Sequence, residues 1–288
     1  EERKIGTADI NRPALQLTGF YDYFDPKRIQ IIGRVESTYL NTLSPEERRD
    51  RFEEFMKFDI AALVIGHGVE AFPECMEMAE KYDRNVFATD EDTSVFMADT
   101  IVALSRHLAP RITTHAVLVE VHGEGVLITG DSGVGKSETA LELIKRGHKF
   151  IADDAVEIKR INKDSLTGES PELIRDYIEL RGIGIINVAK LFGIGAVKAE
   201  NEINLVVNIV PWNTGEAYDR LGLEDQYMEI LGVKIPMNTI PITPGRNLAV
   251  ILEVAAMNNR QRKMGYNAAL ELTEQINRKF EVNMGNDL

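Results

Sequence analysis

The stretch Gly130-Asp131-Ser132-Gly133-Val134-Gly135-Lys136-Ser137 fits the phosphate-loop pattern G-x-x-x-x-G-K-[ST] at every fixed position. No other part of the chain constrains the fold as tightly. Backbone N–H groups converge on a phosphate only where side chains leave the approach open, so Gly130, Gly133 and Gly135 imply a tight path with positive φ. Lys136 then supplies a mobile point charge for the β- and γ-phosphates, and Ser137 a hydroxyl for Mg²⁺. The helix starting there would turn its positive end toward the phosphates. All eight residues are candidates for nucleotide contact.

A phosphate loop requires a strand before it and a helix after it. Ala116 to Val121 and Val126 to Thr129 are β-branched, apolar runs on either side of His122-Gly123-Glu124-Gly125, which reads as a hairpin turn. If Val121 faces Val126 across that turn, the register continues to place His115 opposite Ser132, inside the loop. Downstream, Ala140, Leu141 and Ile144 share one face of a helix that closes at Lys145, Arg146 and Gly147.

The 288 residues suffice for two domains. Counting 33 Lys+Arg against 46 Asp+Glu gives a net charge of −13, which argues against a general nucleic-acid or anionic-membrane binder. Cys75 is the single cysteine, so no internal disulfide forms, and no run approaches the length of a membrane span. No secretory signal is visible, and a reducing, cytoplasmic setting is expected. The chain opens on Glu1 rather than methionine, from which native residues ahead of it are expected.

From residue 28 to 108 strands and helices alternate. Arg28 to Arg34 reads as a strand, and Ser44-Pro45-Glu46-Glu47 opens a helix with an N-cap serine, proline at N1 and glutamate at N3. Ile60 to Ile65 reads as a buried strand, Pro73 to Lys81 as a helix, Val86 to Ala88 as a short strand and Asp92 to Leu108 as a long helix. This predicts a small parallel α/β domain over residues 1–110, with Pro110 at its boundary and a second domain over 111–288. His67, at the end of a strand, reads as a turn histidine without a titratable partner. Past Asp154 the candidates are strands at Ala155 to Ile161, Ile185 to Val188 and Ile203 to Ile209, among loops rich in Gly, Pro and Asn. Two helices, from about Asn247 to Arg262 and Asn267 to Phe280, finish the chain.

Phe150-Ile151-Ala152-Asp153-Asp154 is a short apolar strand ending in two carboxylates. Neighbouring side chains on a strand point to opposite faces, so one acid can serve Mg²⁺ while the other faces an acceptor hydroxyl. Glu179-Leu180-Arg181-Gly182-Ile183-Gly184 adds an acid and a base beside a glycine pair. A regulatory GTPase is disfavoured. Its N-K-x-D is absent, because Asn162-Lys163-Asp164 carries the acid one place early, and Asp219-Arg220-Leu221-Gly222 alone fits D-x-x-G.

Taken together, GDSGVGKSETALELIKRGH, ADDAVEI, IELRGIGIINV, PITPGRN and EVAAMNNRQRKMGYNAA resemble the HPr kinase/phosphorylase family over His115 to Ala269. For the first domain the resemblance is looser and suggests no catalytic role. It implies an α/β fold: a small parallel N-terminal domain and a phosphate-loop, phosphoenolpyruvate-carboxykinase-like C-terminal kinase domain. It implies catalytic roles for His115, Lys136, Asp154 as acid/base and Arg220, with Ser137 and Glu179 on the metal. The stretch Ile178 to Asn187 would serve both reactions, and Pro241 to Arg246 dephosphorylation. It further implies ATP as donor, Mg²⁺, the phosphocarrier protein HPr as substrate, inorganic phosphate and pyrophosphate as reactants of the reverse reaction, fructose 1,6-bisphosphate as effector, and a homohexamer. The rival readings are a small-molecule or phosphoenolpyruvate-carboxykinase-like kinase and a non-catalytic nucleotide-binding regulator.

Overall fold

The computed structural model describes residues 4–213, 225–243 and 245–285. It divides into two compact units, Glu1–Ala109 and Pro110–Leu288.

In the first unit β1 (Ile10–Asn11), β2 (Ile29–Ile32), β3 (Ala62–Ile65) and β4 (Val86–Ala88) form one parallel sheet in that order. Every residue of β2 and β3 is buried, which is why β3 reads as a continuous apolar run and β2 as one interrupted only by Gln30, whose amide donates to the Arg28 carbonyl. Around them run α1 (Arg34–Asn41), α2 (Pro45–Met56), α3 (Pro73–Lys81) and α4 (Thr93–Leu108). Phe52, Phe55 and Met56 of α2 pack with Leu40, Leu63 and Cys75 in the core.

The α2 start follows its sequence. Ser44 Oγ accepts from Glu47 N, and Glu47 Oε2 accepts from Ser44 N at 2.9 Å. The strand expected to reach Arg34 stops at Ile32 because α1 begins there. The start of this helix is held by a side chain from outside it. Glu36 reaches back to Gly33 N at 2.9 Å, and Arg12 holds the Glu36 carboxylate through two N–H groups. His67 is also corrected: Asp92 faces its Nδ1 at 2.5 Å.

The second unit contains β5 (Arg111–Thr114), β6 (Val117–Val121), β7 (Glu124–Gly130), α5 (Lys136–Lys145), β8 (Lys149–Ala152), β9 (Val156–Arg160), β10 (Leu166–Glu169), β11 (Tyr177–Leu180), β12 (Gly184–Asn187), α6 (Val188–Phe192), β13 (Glu200–Glu202), β14 (Leu205–Pro211), β15 (Gln226–Ile230), β16 (Val233–Ile242), α7 (Leu248–Lys263) and α8 (Ala268–Gly285). Its main sheet has the order β15-β16-β14-β7-β6-β8, parallel among β16, β14 and β7 and antiparallel elsewhere. Side chains alternate between two cores. Val117, Val119, Val126, Ile128, Val207 and Ile209 face α5 and α7. Leu118, Leu127 and Val206 face a second, antiparallel sheet ordered β13-β10-β9-β5. Each such fully buried aliphatic side chain contributes about 1.5–3 kcal/mol by leaving water.

The hairpin turn is shorter than its sequence suggested. Val121 pairs with Glu124, so only His122 and Gly123 form the turn, at φ 51° and 86°. The register therefore differs from the expected one by two residues, and the strand facing β7 begins at Val117. Glu124 is buried in β7, where Asn259 Nδ2 and Lys263 Nζ of α7 donate to its Oε2 at 3.0 and 2.8 Å. The next position admits only glycine, since a Cβ on Gly125 would lie 1.8 Å from the carbonyl oxygen of Glu202.

Strands β10, β11, β13, β15 and β16 lie where sequence reasoning expected loops. Prolines obscured β16. Pro236 pairs with Tyr227 one place before the ladder to β14 begins at Met237, and Pro241 pairs with Val210 after the ladder to β15 has ended. Each proline thus stands where β16 has one registered neighbour, and a missing N–H is tolerated there. Among the described residues no helix is long and apolar enough to cross a membrane.

Candidate active site

The central strand β7 ends at Gly130, residues 131–135 form the loop, and α5 starts at Lys136. Gly130, Gly133 and Gly135 all have positive φ, of 136°, 83° and 96°. At Gly130 close approach compounds the backbone demand, because a Cβ would sit 2.3 Å from the Ile209 carbonyl oxygen of β14. Val134 packs against the core below, which anchors the loop to the sheet.

Lys136 is 7 % exposed, and its Nζ donates to the carbonyls of Gly130 and Asp131 at 2.8 and 3.0 Å. An ammonium has three N–H donors, so the loop engages two and leaves the third for a ligand. Thr139 Oγ1 donates to the Gly135 carbonyl at 2.7 Å and tightens the first turn of α5.

Asp153 and Asp154 follow the end of β8 and part ways. Asp153 is buried: Ser137 Oγ donates to its Oδ1 at 2.8 Å and the Glu179 N–H to its Oδ2 at 3.1 Å. Burial, the largest influence, holds its carboxyl above the usual range, with the charge of Asp154 adding to the rise and the hydrogen bonds opposing it. Asp154 is exposed and sits 2.9 Å from His115 Nδ1. The divergence comes from the backbone rather than the strand pleat, since β8 stops at Ala152 and Asp154 is left-handed at φ 66°.

These groups border one hollow of about 120 Å³. His115, Ser132, Gly133, Gly135, Lys136, Ser137, Asp154 and Glu179 line it. Gly130, Asp131 and Val134 shape the loop from behind. His115 lines the hollow even though the hairpin register differs, because the chain between β5 and β6 carries it to Asp154. Arg220 lies outside the described residues, as does Pro244 in the Pro241 to Arg246 stretch.

Glu138, Asp153 and Arg181 also line the hollow. Asp153 was visible only as one of two alternatives. Arg181 stood out only as a base beside glycines, yet its Nη2 donates to Ser132 Oγ at 3.2 Å and its guanidinium lies over Gly133. The pairing of β11 with β12 brings Glu179 and Arg181 here, with Glu179 opposite Ile185. Oxygen donors from Ser137, Asp153 and Glu179 around one hollow form a hard ligand set that suits Mg²⁺.

Residues 106–276 match the family model described as the HPr serine kinase C-terminal domain, and residues 1–104 the one described as the HPr serine kinase N terminus. A protein of Caldicellulosiruptor bescii named HPr kinase/phosphorylase is 54 % identical over 99 % of this chain and 92 % of its own length. One of the same name from Halalkalibacterium halodurans is 46 % identical over 97 % of this chain and 90 % of its own length. The solved structure of the HPr(Ser) kinase/phosphatase from Coxiella burnetii matches with a TM-score of 0.51 at 37 % identity, covering 56 % of this chain and 98 % of that one. With both halves matched by its models, the chain belongs to the HPr serine kinase family.

Proposed function

We infer that this chain is a bifunctional enzyme that phosphorylates a serine of the phosphocarrier protein HPr with ATP and removes that phosphate by phosphorolysis. The observation that carries the reading is the division of labour around the hollow: a buried carboxylate tied to the loop serine and an exposed one beside a histidine.

In the forward direction Asp154 takes the proton of the serine hydroxyl as its oxygen attacks the γ-phosphorus, and the bond from that phosphorus to the β-bridging oxygen breaks. Lys136, Arg181 and the loop N–H groups offset charge on the phosphates. Ser137, Asp153 and Glu179 would hold Mg²⁺, which when bound supplies charge neutralisation on the phosphoryl oxygens. His115 keeps Asp154 in place through its Nδ1. Arg220 is proposed as a further charge-neutralising group.

In reverse, an oxygen of inorganic phosphate attacks the phosphoserine phosphorus and the bond to the serine oxygen breaks. Asp154 returns the proton to that oxygen, and the products are serine and pyrophosphate. We propose fructose 1,6-bisphosphate and inorganic phosphate as effectors and the cytoplasm as the setting. A homohexamer is the proposed assembly. Supporting it, Leu272 and Ile276 of α8 are 52 % and 44 % exposed on one apolar stripe that a second copy would cover.

The test is incubation of the full chain with HPr and γ-labelled ATP, then with unlabelled phosphate. Label should move to a serine of HPr and then to pyrophosphate. Release as inorganic phosphate would refute phosphorolysis, and label on a small metabolite but not HPr would refute the protein substrate.

A further inference from the structure

Far from the phosphate loop, three metal-ligating side chains meet on elements that the proposed reaction does not use. They are His122 in the β6–β7 turn, His148 just beyond α5, and Glu253 in α7. Their ligand atoms all lie within 4.8 Å of one another, and no other such group of three occurs among the described residues. His148 Nε2 stands 3.0 Å from Glu253 Oε1, and the two imidazoles meet edge to face with centroids 4.7 Å apart. The ten residues of α5 separate this cluster from Lys136 by about 15 Å at 1.5 Å per residue.

We propose that His122, His148 and Glu253 form a site for a divalent transition metal of the zinc class. Two imidazoles and one carboxylate are a donor set that zinc takes, with a water in the fourth position. A hard ion such as Mg²⁺ prefers oxygen, which directs it to the phosphate loop instead.

Each ligand is placed by its own element. His122 occupies the first position of a two-residue turn whose φ of 51° is fixed by the β6–β7 register. His148 follows the helix end: the Gly147 N–H bonds the Ile144 carbonyl and the His148 N–H the Leu143 carbonyl, the paired bonds of a Schellman cap. Its side chain is 8 % exposed, so its contact with Glu253 is withdrawn from water. Glu253 Oε2 is held at 3.3 Å by Arg146 Nη1, which also reaches Glu142 through Nε. That contact orients the carboxylate and leaves Oε1 turned to His148, as outer partners of metal ligands do. Arg146 also sets a positive charge beside the site, so the affinity should be moderate.

Ligands about 2.0–2.2 Å from a tetrahedral zinc stand about 3.3 Å apart, so the widest pair must close by about 1.5 Å. His122 is exposed and can supply that movement by side-chain rotation. An ion pair between His148 and Glu253 would explain two of the three residues. It leaves the second imidazole, brought in edge-on from a separate turn, without a role. The bound metal would tie the hairpin tip, the end of α5 and α7 together.

The test uses the full chain, stripped with chelator and held in excess Mg²⁺ to occupy the oxygen ligands at the loop. Titration with CoCl₂ should give the intense visible absorption of four-coordinate cobalt at one equivalent, displaced by ZnCl₂. His148→Gln, Glu253→Gln and His122→Asn should each weaken cobalt binding by at least about tenfold. Asparagine tolerates the left-handed turn, so the His122 variant keeps the fold even if a buried variant does not. Zinc should raise the melting temperature of the parent chain and not of the variants. Absence of the band, or a His122→Asn variant that binds cobalt as tightly as the parent, overturns the proposal.

Discussion

Replacing Asp153 by asparagine separates what holds the fold from what runs the reaction. The carboxylate accepts Ser137 Oγ on one oxygen and the Glu179 N–H on the other, at 2.8 and 3.1 Å. An asparagine of the same shape keeps both contacts. Its oxygen accepts from Glu179, and its NH₂ donates to Ser137 Oγ, which changes from donor to acceptor. Only the charge is lost. Charged hydrogen bonds are worth about 1.5–3 kcal/mol and neutral ones about 0.5–1.5, so exchanging two costs about 2–3 kcal/mol. Burial works against the charge, and since the Asp153 carboxyl is held above its usual range, burial is the larger effect. A carboxyl whose pKa rises on folding lends stability while protonated, below its unfolded value, and withdraws it as pH climbs through the folded value. The variant should therefore be at least as stable as the parent near neutral pH, with an advantage that shrinks as pH falls. Activity should move the opposite way. The proposed metal ligand set loses one of its two carboxylates, leaving Glu179, and Ser137 is held as an acceptor, a loss we place at about 10²–10³ in kcat, or about 3–4 kcal/mol. Denaturant unfolding at several pH values, beside ATP-dependent labelling of HPr at saturating Mg²⁺, measures both. A variant destabilised by more than about 3 kcal/mol at neutral pH would make Asp153 a structural anchor. One that retains activity within about threefold would remove it from the metal ligands.

Lys136→Ala should abolish phosphorylation and phosphorolysis together, by about 10³-fold or more in each, because the proposed mechanism gives one ammonium to both the donor and the attacking phosphates; rates of both on HPr and phosphoserine-HPr check it, and survival of either excludes the lysine. Asp154→Asn should cripple both directions while leaving the unfolding midpoint unchanged, since the side chain is exposed; a variant that spares the kinase would transfer the acid/base role elsewhere. Gly125→Ala should destabilise the second unit by about 3 kcal/mol, the upper end for overpacking, because its Cβ meets backbone at 1.8 Å; a melting temperature equal to the parent's would contradict the close strand packing. Light scattering at working concentration should report an assembly larger than a monomer, and a monomeric mass would leave the α8 stripe without a partner.

Features that a backbone conformation demands were legible in the residues. Glycines at 130, 133 and 135 announce positive φ because no other residue takes it cheaply, and Ser44 with Glu47 announces a helix start because each satisfies the other's N–H. Features set by distant partners were not. The α1 helix depends on Arg12 holding Glu36 from 24 residues away, and Glu124 leaves the turn for the strand because Asn259 and Lys263 receive it there. A two-residue turn is nonetheless readable in His122-Gly123, a pair suited to positive φ at both places.

The site divides along the same line. Phosphate-loop residues are contiguous and could be read as a unit, whereas Asp153, Glu179 and Arg181 converge only after β11 and β12 pair and fold back over the loop. This separation has a mechanistic consequence. On the proposed mechanism the loop would fix the phosphates through backbone and Lys136, at the end of a central strand, while the proposed acid/base group Asp154 stands on the exposed side, at a left-handed residue outside any strand. A protein serine must approach from solvent, so the group that exchanges its proton has to be reachable, and a buried carboxylate such as Asp153 cannot serve. Burial suits Asp153 to a different task, since its charge is tolerable mainly when a cation neutralises it. On the proposed roles, both directions of the reaction would draw on this one set of groups. Under the proposed mechanism Asp154 would gain and lose its proton at the surface, while Lys136 and the loop would hold the phosphates from the buried side.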